Sequence, residues 1–238
     1  MKRTIIASFF ICLLYSSVST AQTFESATIY DHMDYLRRES IIFNSNQKAY
    51  ENIDGTPYLN REFKEGKVFL KSGDVLTGDF RFDLYANHVQ FIDKGSRYVI
   101  AYPEKIYKIE LDGNVFKYID YRIDAGIDEG YFIELVDGYY SLYLKKSKTL
   151  KDPVATKPYQ QARPARFVDH RDYYYIKIGE DPAKRVRNKR ELIRLSGEYG
   201  PEVESYIKEN KIRLSREFDL VKLVDYINNE LINELGSK

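Results

Sequence analysis

The chain has 238 residues, with 37 Lys and Arg against 36 Asp and Glu, a formal net charge of +1. So even a balance gives no global pull toward nucleic acid or an acidic polymer. The single cysteine, Cys12, lies in an N-terminal apolar run, so the rest of the chain has no disulfide or thiol chemistry to draw on. Stability must therefore come from burial, for which a chain of this size suffices, as one large domain or two small ones.

Residues 1–21 read as a secretory signal peptide. Lys2 and Arg3 supply the charged start, Ile5 to Tyr15 the apolar centre, and Ser19-Thr20-Ala21 the small residues that predict cleavage before Gln22. A retained anchor is disfavoured, because the apolar run falls short of the roughly 20 residues needed to span a bilayer. Ile11 precedes Cys12 where a lipidation site wants a small residue. Cleavage removes Lys2 and Arg3, leaving 35 basic against 36 acidic side chains.

Residues 22–65 read as an N-terminal arm. Tyr30 to Glu39 has the character of a short helix, and Ile41-Ile42-Phe43 that of a strand or packed arm. Asp54-Gly55 marks a turn, and Thr56-Pro57 holds the chain out of helix. Tyr50, Ile53, Tyr58 and Leu59 are the side chains that would tack this arm to a sheet.

The sheet itself is predicted over 66–180. Leu76, Gly78, Phe80, Phe82 and Leu84 alternate with Thr77, Asp79, Arg81 and Asp83, the period of a strand with one buried face. Four hairpins follow in series: 67–71 with 75–84, 88–92 with 97–102, 106–111 with 115–120, and 131–136 with 139–145. Their turns are Ser72-Gly73-Asp74, Asp93-Lys94-Gly95-Ser96, Asp112-Gly113-Asn114 and Asp137-Gly138. A meander is the expectation. Residues 146–172, with Pro153, Pro158 and Pro164 and no clear periodicity, read as a basic loop or clasp before a last strand at Tyr173 to Ile178.

The segment 181–238 reads as helical and packed on the sheet. Asn188 with Glu191 three residues on opens a helix that Gly197 ends; Pro201 starts a second, closing near Asn210. Ser215 is the expected cap of a third, with Phe218, Val221, Val224, Ile227 and Leu231 on its apolar stripe, widened by Leu220, Leu223 and Leu235.

Chemical motifs are sparse. His32, His88 and His170 form no metal-binding pair by spacing, and Asp31 and Asp34 beside His32 read more simply as acids at a helix start. His170-Arg171-Asp172 shares three letters with the kinase catalytic loop but lacks its asparagine and any glycine-rich phosphate loop. No serine-nucleophile elbow is present. Asp124, Asp128 and Glu129 with Gly126 and Gly130 miss the alternate-oxygen spacing of a calcium loop and read as a solvated hairpin connection. The clusters Tyr139-Tyr140 and Tyr173-Tyr174-Tyr175 fit core packing with an amphipathic surface better than a ligand platform. Strands of five to seven residues with charged wet faces argue against a membrane barrel.

The remaining interaction candidate is the basic loop: Lys145, Lys146, Lys148, Lys151, Lys157, Tyr159, Arg163 and Arg166, suited to anionic headgroups, polysaccharide or a protein.

Tyr50 to Leu59 (Y-E-N-I-D-G-T-P-Y-L), the glycine-led strand, the D-G hairpins, and Asn188-Lys189-Arg190-Glu191-Leu192 before the closing helices resemble a group of uncharacterised exported envelope proteins of Bacteroidota. The resemblance implies the periplasm, outer envelope or exterior of a Gram-negative cell, and carries over no catalytic residue.

The expected fold is α+β, mainly β: an antiparallel meander sheet of about nine strands, twisted or curled into a half-barrel, with about three C-terminal helices. The expected function is a non-enzymatic envelope protein, with no cofactor, binding a protein or surface component. A carrier of an apolar ligand between sheet and helices is the alternative, and an enzyme would require Asp124 and Asp128 to converge in a cleft.

Overall fold

The computed structural model describes residues 40–42, 50, 53–156 and 161–232. The signal segment, the helix expected at 30–39, His32 with its neighbouring acids, Phe43, Lys157, Tyr159 and Leu235 lie outside the described residues.

The main sheet consists of two antiparallel meanders spliced side by side. In the first, β2 (Lys64–Leu70), β3 (Val75–Asp83), β4 (His88–Asp93) and β5 (Ser96–Ile100) pair in sequence, and β1 (Ser40–Ile42) pairs with the outer edge of β5. After a short turn at Pro103–Lys105, β6 (Ile106–Leu111) returns to lie beside β2. It starts the second meander: β7 (Asn114–Ile123), β8 (Gly126–Val136) and β9 (Tyr140–Lys145), joined by β12 (Tyr173–Ile178) and β13 (Lys184–Arg185). The order β1-β5-β4-β3-β2-β6-β7-β8-β9-β12-β13 gives eleven strands in a mainly β, curled half-barrel.

The splice depends on a glycine. A Cβ on Gly66 of β2 would lie 2.8 Å from the Glu110 carbonyl oxygen of β6 and 3.2 Å from both the Phe80 and Leu111 side chains, so only a bare Cα fits. The tight turn after β6 uses Asp112 and Gly113, both at positive φ (51° and 74°), the geometry that the D-G pair favours.

Two corrections concern β7 and β8. They run to 10 and 11 residues, and the stretch read as an acidic loop is the paired end of this hairpin, with Tyr121 opposite Asp128 and Ile123 opposite Gly126. The Tyr121 hydroxyl donates to Asp128 Oδ2 at 2.8 Å, which stabilises pairing in a stretch whose glycines and acids disfavour strand by composition.

Likewise the basic loop is not featureless. β10 (Lys148–Lys151) and β11 (Arg166–Asp169) form a separate two-stranded ribbon in which Lys148 faces Asp169 and Lys151 faces Arg166.

Three helices close the chain: α1 (Lys189–Leu195), α2 (Gly200–Glu209) and α3 (Glu217–Tyr226), the last continuing as a wider turn through Ile227–Ile232. Asn188 caps α1 by accepting from the Glu191 N–H at 2.9 Å. Ser215 does not cap α3. The helix begins one residue later, and Asp219 Oδ2 instead accepts from the Arg213 N–H at 2.9 Å, fixing the approach to the helix. Its buried stripe is Leu220, Leu223, Val224, Ile227 and Leu231, whereas Phe218 is 76% exposed. With apolar residues on two adjacent rows, the helix turns its leucine-rich row inward and leaves Phe218 on the rim.

The interior divides by strand alternation. On the helix side, Tyr140 and Leu142 of β9 and Ile176 of β12 meet Leu192, Val203, Leu220 and Leu223, and this layer is filled. On the other face, Tyr121, Phe132, Tyr143 and Tyr175 pack on one another around Ala183. Ala183 is fully buried because the sheet curls back here: its N–H donates to the Asp120 carbonyl (3.0 Å) and its carbonyl accepts from Arg122 (2.9 Å), tying the segment before β13 to β7.

Replacing Gly66 with Ala is expected to cost about 1–3 kcal/mol through overpacking at the splice, read as a lowered urea midpoint; an unchanged midpoint would show that β6 is free to move away.

Candidate interaction surface

The basic residues singled out from sequence meet three different fates. Lys145 points into the aromatic layer, its Nζ 3.6 Å from the centroid of the Tyr121 ring and 4.9 Å from that of Phe132. Burial pushes its ammonium down to about 8, with the nearby Asp128 opposing the shift. Lys146 and Lys148 are paired with Asp172 (3.0 Å) and Asp169 (3.4 Å), the Lys148 side chain being 12% exposed. Lys151, Arg163 and Arg166 are exposed. Among the six basic residues described, two are therefore paired with carboxylates and one is drawn into the aromatic layer.

The ribbon that carries these residues is a clasp. Asp54 donates to the Ala165 carbonyl (2.8 Å) and accepts from Phe167 (2.9 Å). Phe167 also meets the rings of Tyr50 and Tyr85 edge-on at 5.4 and 5.3 Å, pinning the arm to the turn after β3. Beneath it lies a buried polar knot. Arg81 stacks on Tyr58 at 3.4 Å and Phe63 at 4.2 Å, and donates to the Arg61 carbonyl and to Gln90 Oε1. Asp83 accepts from the Tyr85 and Ala86 N–H groups and lies 3.8 Å from His88 Nε2. Burial lowers the affinity of His88 and Arg81 for their protons and raises that of Asp83, so each charged form is disfavoured by desolvation. The knot anchors the arm; it presents no open face to a ligand.

A second cationic surface was missed from sequence. Six of the eleven residues from 184 to 194 are basic, with Glu191 the one acid. That density is itself the sequence signal of a cationic surface, one that the helix-capping pattern of the same stretch does not carry. The curl at Ala183 sets Lys184 and Arg185 beside the end of β7, and the Asn188 cap turns Arg190 and Arg194 outward on α1. Two grooves flank this segment. One, of about 510 Å³, lies between Arg122 and Ile123 of β7 and Arg187 and Arg194 on the α1 side. The other, of about 620 Å³, lies between Arg171 with Tyr173 and Leu214 before α3. Both are lined by Arg185 and Arg187.

The acids here are already engaged. Glu191 Oε2 accepts from the Arg187 N–H (3.2 Å), and Asp124 pairs with the Arg187 guanidinium at 3.1 Å. Arg185 lies over the Tyr173 ring at 3.4 Å, which orients its fork of donors. Among the described residues, Arg122, Arg190 and Arg194 have no carboxylate within ion-pair distance. Asp124 and Asp128 are held by different partners, Arg187 and Tyr121. Among the described residues no group of three or more His, Cys, Asp or Glu is arranged to hold a metal, and no helix is long and apolar enough to cross a membrane. No protein-family model, curated protein or solved structure matches the chain.

Two outcomes follow. Lys148→Glu, which sets two carboxylates opposite each other in the ribbon, should increase protease cleavage around the ribbon and the 53–59 arm, whereas Lys151→Glu should not; equal cleavage would show that the ribbon does not depend on this pair. For Lys145, the folded chain releases its proton near pH 8 and the unfolded chain near 10.5. Between pH 8 and 9.5 the unfolded state binds more protons, so the wild type should gain stability with rising pH relative to Lys145→Met. Urea midpoints at pH 7 and 9.5 read the difference, and a wild type that loses ground over that interval contradicts it.

Proposed function

We propose that the chain is an exported, non-enzymatic envelope protein that binds an anionic partner through the arginine-lined grooves beside β13. The observation that carries this reading is the set of exposed arginines, Arg122, Arg190 and Arg194, grouped on one surface of a chain whose overall charge is balanced. A neutral protein that concentrates unpaired guanidinium groups on one side gains electrostatic complementarity toward a partner and little stability of its own. The filled layer between sheet and helices, where Leu192, Val203, Leu220 and Leu223 have no exposed surface, weighs against the carrier alternative. Lys151, Arg163 and Arg166 on the ribbon form a second and smaller candidate contact.

The reading is tested by co-sedimentation of the purified protein with the envelope fraction of its own cell. Wild type should sediment at low salt and be released as salt rises. Arg122→Gln/Arg190→Gln/Arg194→Gln should remain in the supernatant at all salt concentrations, with an unchanged circular dichroism spectrum. Retention of the triple variant at the wild-type level sinks the proposal. Sequencing the N-terminus of the native protein tests export: Gln22 first is the expected result, and an intact Met1 would refute it.

A further inference from the structure

Resting on the reading above, we infer that the anionic partner is a linear anionic polysaccharide, threaded along the paired grooves on either side of Lys184–Arg187. Four features of the surface select this chemistry. The two grooves both have Arg185 and Arg187 in their walls, and with Arg122, Arg171 and Arg194 their cations outnumber the lining acids Asp124, Asp172 and Glu191, a spread suited to charges repeated along a chain rather than to a single ion. The cations facing the grooves are chiefly arginines, whose planar forks bind carboxylate, sulfate or phosphate oxygens in pairs.

The surface also lacks what a protein partner would use. Interfaces between proteins draw most of their affinity from an aromatic or aliphatic anchor filling a desolvated pocket. Here the Tyr173 ring is already covered by Arg185 at 3.4 Å, and the apolar lining is limited to scattered residues such as Ile123, Val186 and Leu214. A bilayer fits poorly as well. The hairpin tip beside the arginines carries Asp124, whose side chain is 95% exposed, with Asp128 and Glu129 close behind, and these would be pressed against anionic headgroups. A flexible glycan avoids the tip and follows the groove. It also displaces Asp124 from Arg187, an exposed pair held by little net energy.

The experiment titrates the purified protein with four probes at low salt: dextran sulfate, polygalacturonate, poly-L-glutamate and vesicles of phosphatidylglycerol. Wild type should bind the two polysaccharides at least tenfold more tightly than poly-L-glutamate or vesicles, with affinity falling as salt rises. Arg122→Gln/Arg187→Gln/Arg194→Gln should lose at least tenfold toward the polysaccharides. Lys64→Gln/Lys71→Gln, on β2 and the turn after it, should lose less than twofold and so exclude non-specific attraction to any basic site. Preference for poly-L-glutamate or for vesicles overturns the inference in favour of an acidic protein or a lipid surface. Equal loss in both variants overturns it too. If no polysaccharide binds while envelope co-sedimentation still depends on the arginines, the polysaccharide is wrong and the broader binding function stands.

Discussion

The position of Ala183 governs much of this molecule. A methyl side chain with no exposed surface, bonded through its N–H to Asp120 and through its carbonyl to Arg122, lets the chain between β12 and β13 lie against β7. A larger residue would have to displace the Tyr121, Phe132 and Tyr175 rings that close over it. Through those two hydrogen bonds the far edge of the sheet meets its middle. The aromatic layer becomes an enclosed interior, and the cationic segment that follows stands next to the tip of the long hairpin. Neither groove would exist on a flat sheet.

Burial is divided among three interiors with different chemistry. The helix side is aliphatic, with Leu, Ile and Val predominating. The layer shared by the two meanders is built on Phe80, Phe82 and Phe91 of the first and Phe116 of β7. The curled side is tyrosine-rich and tolerates charge at its margin: Lys145 lies on Tyr121, and Lys117 meets Glu134, which also accepts from Tyr143. Rings with a polar tip suit that margin, because the body packs while the hydroxyl reaches a carboxylate.

Strand identity was legible wherever alternation was paired with a turn residue. The segments 106–111 and 173–178 match their strands end to end, and the Asn188 cap and Pro201 start were read correctly. What escaped depends on contacts distant in sequence. The pairing of β6 with β2 has no local signature beyond Gly66. The ribbon 148–151 with 166–169 is held by the arm at Asp54, so periodicity within the loop could not reveal it. The cationic patch was half visible. Charge along 146–172 is evident in the sequence, but Lys146 and Lys148 pair with Asp172 and Asp169, while the denser run at 184–194 keeps Arg187, Arg190 and Arg194 exposed. Net charge of a segment is a property of sequence; free charge is a property of the fold.

The clasp between arm and ribbon has a kinetic corollary. Asp54 bonds to Ala165 and Phe167, over a hundred residues further along, while the hairpins between them close over a few residues each. Closing so long a loop is entropically unfavourable until the intervening strands have drawn its ends together. The meanders therefore assemble before the clasp engages, whereas the polar knot of Arg81 and Asp83, whose partners all lie within residues 58–90, can form without it. An emerging chain would hold residues 57–59 beside the end of β3 only through their backbone bonds with Phe82 and Leu84, until residues near 167 arrive to clamp the arm.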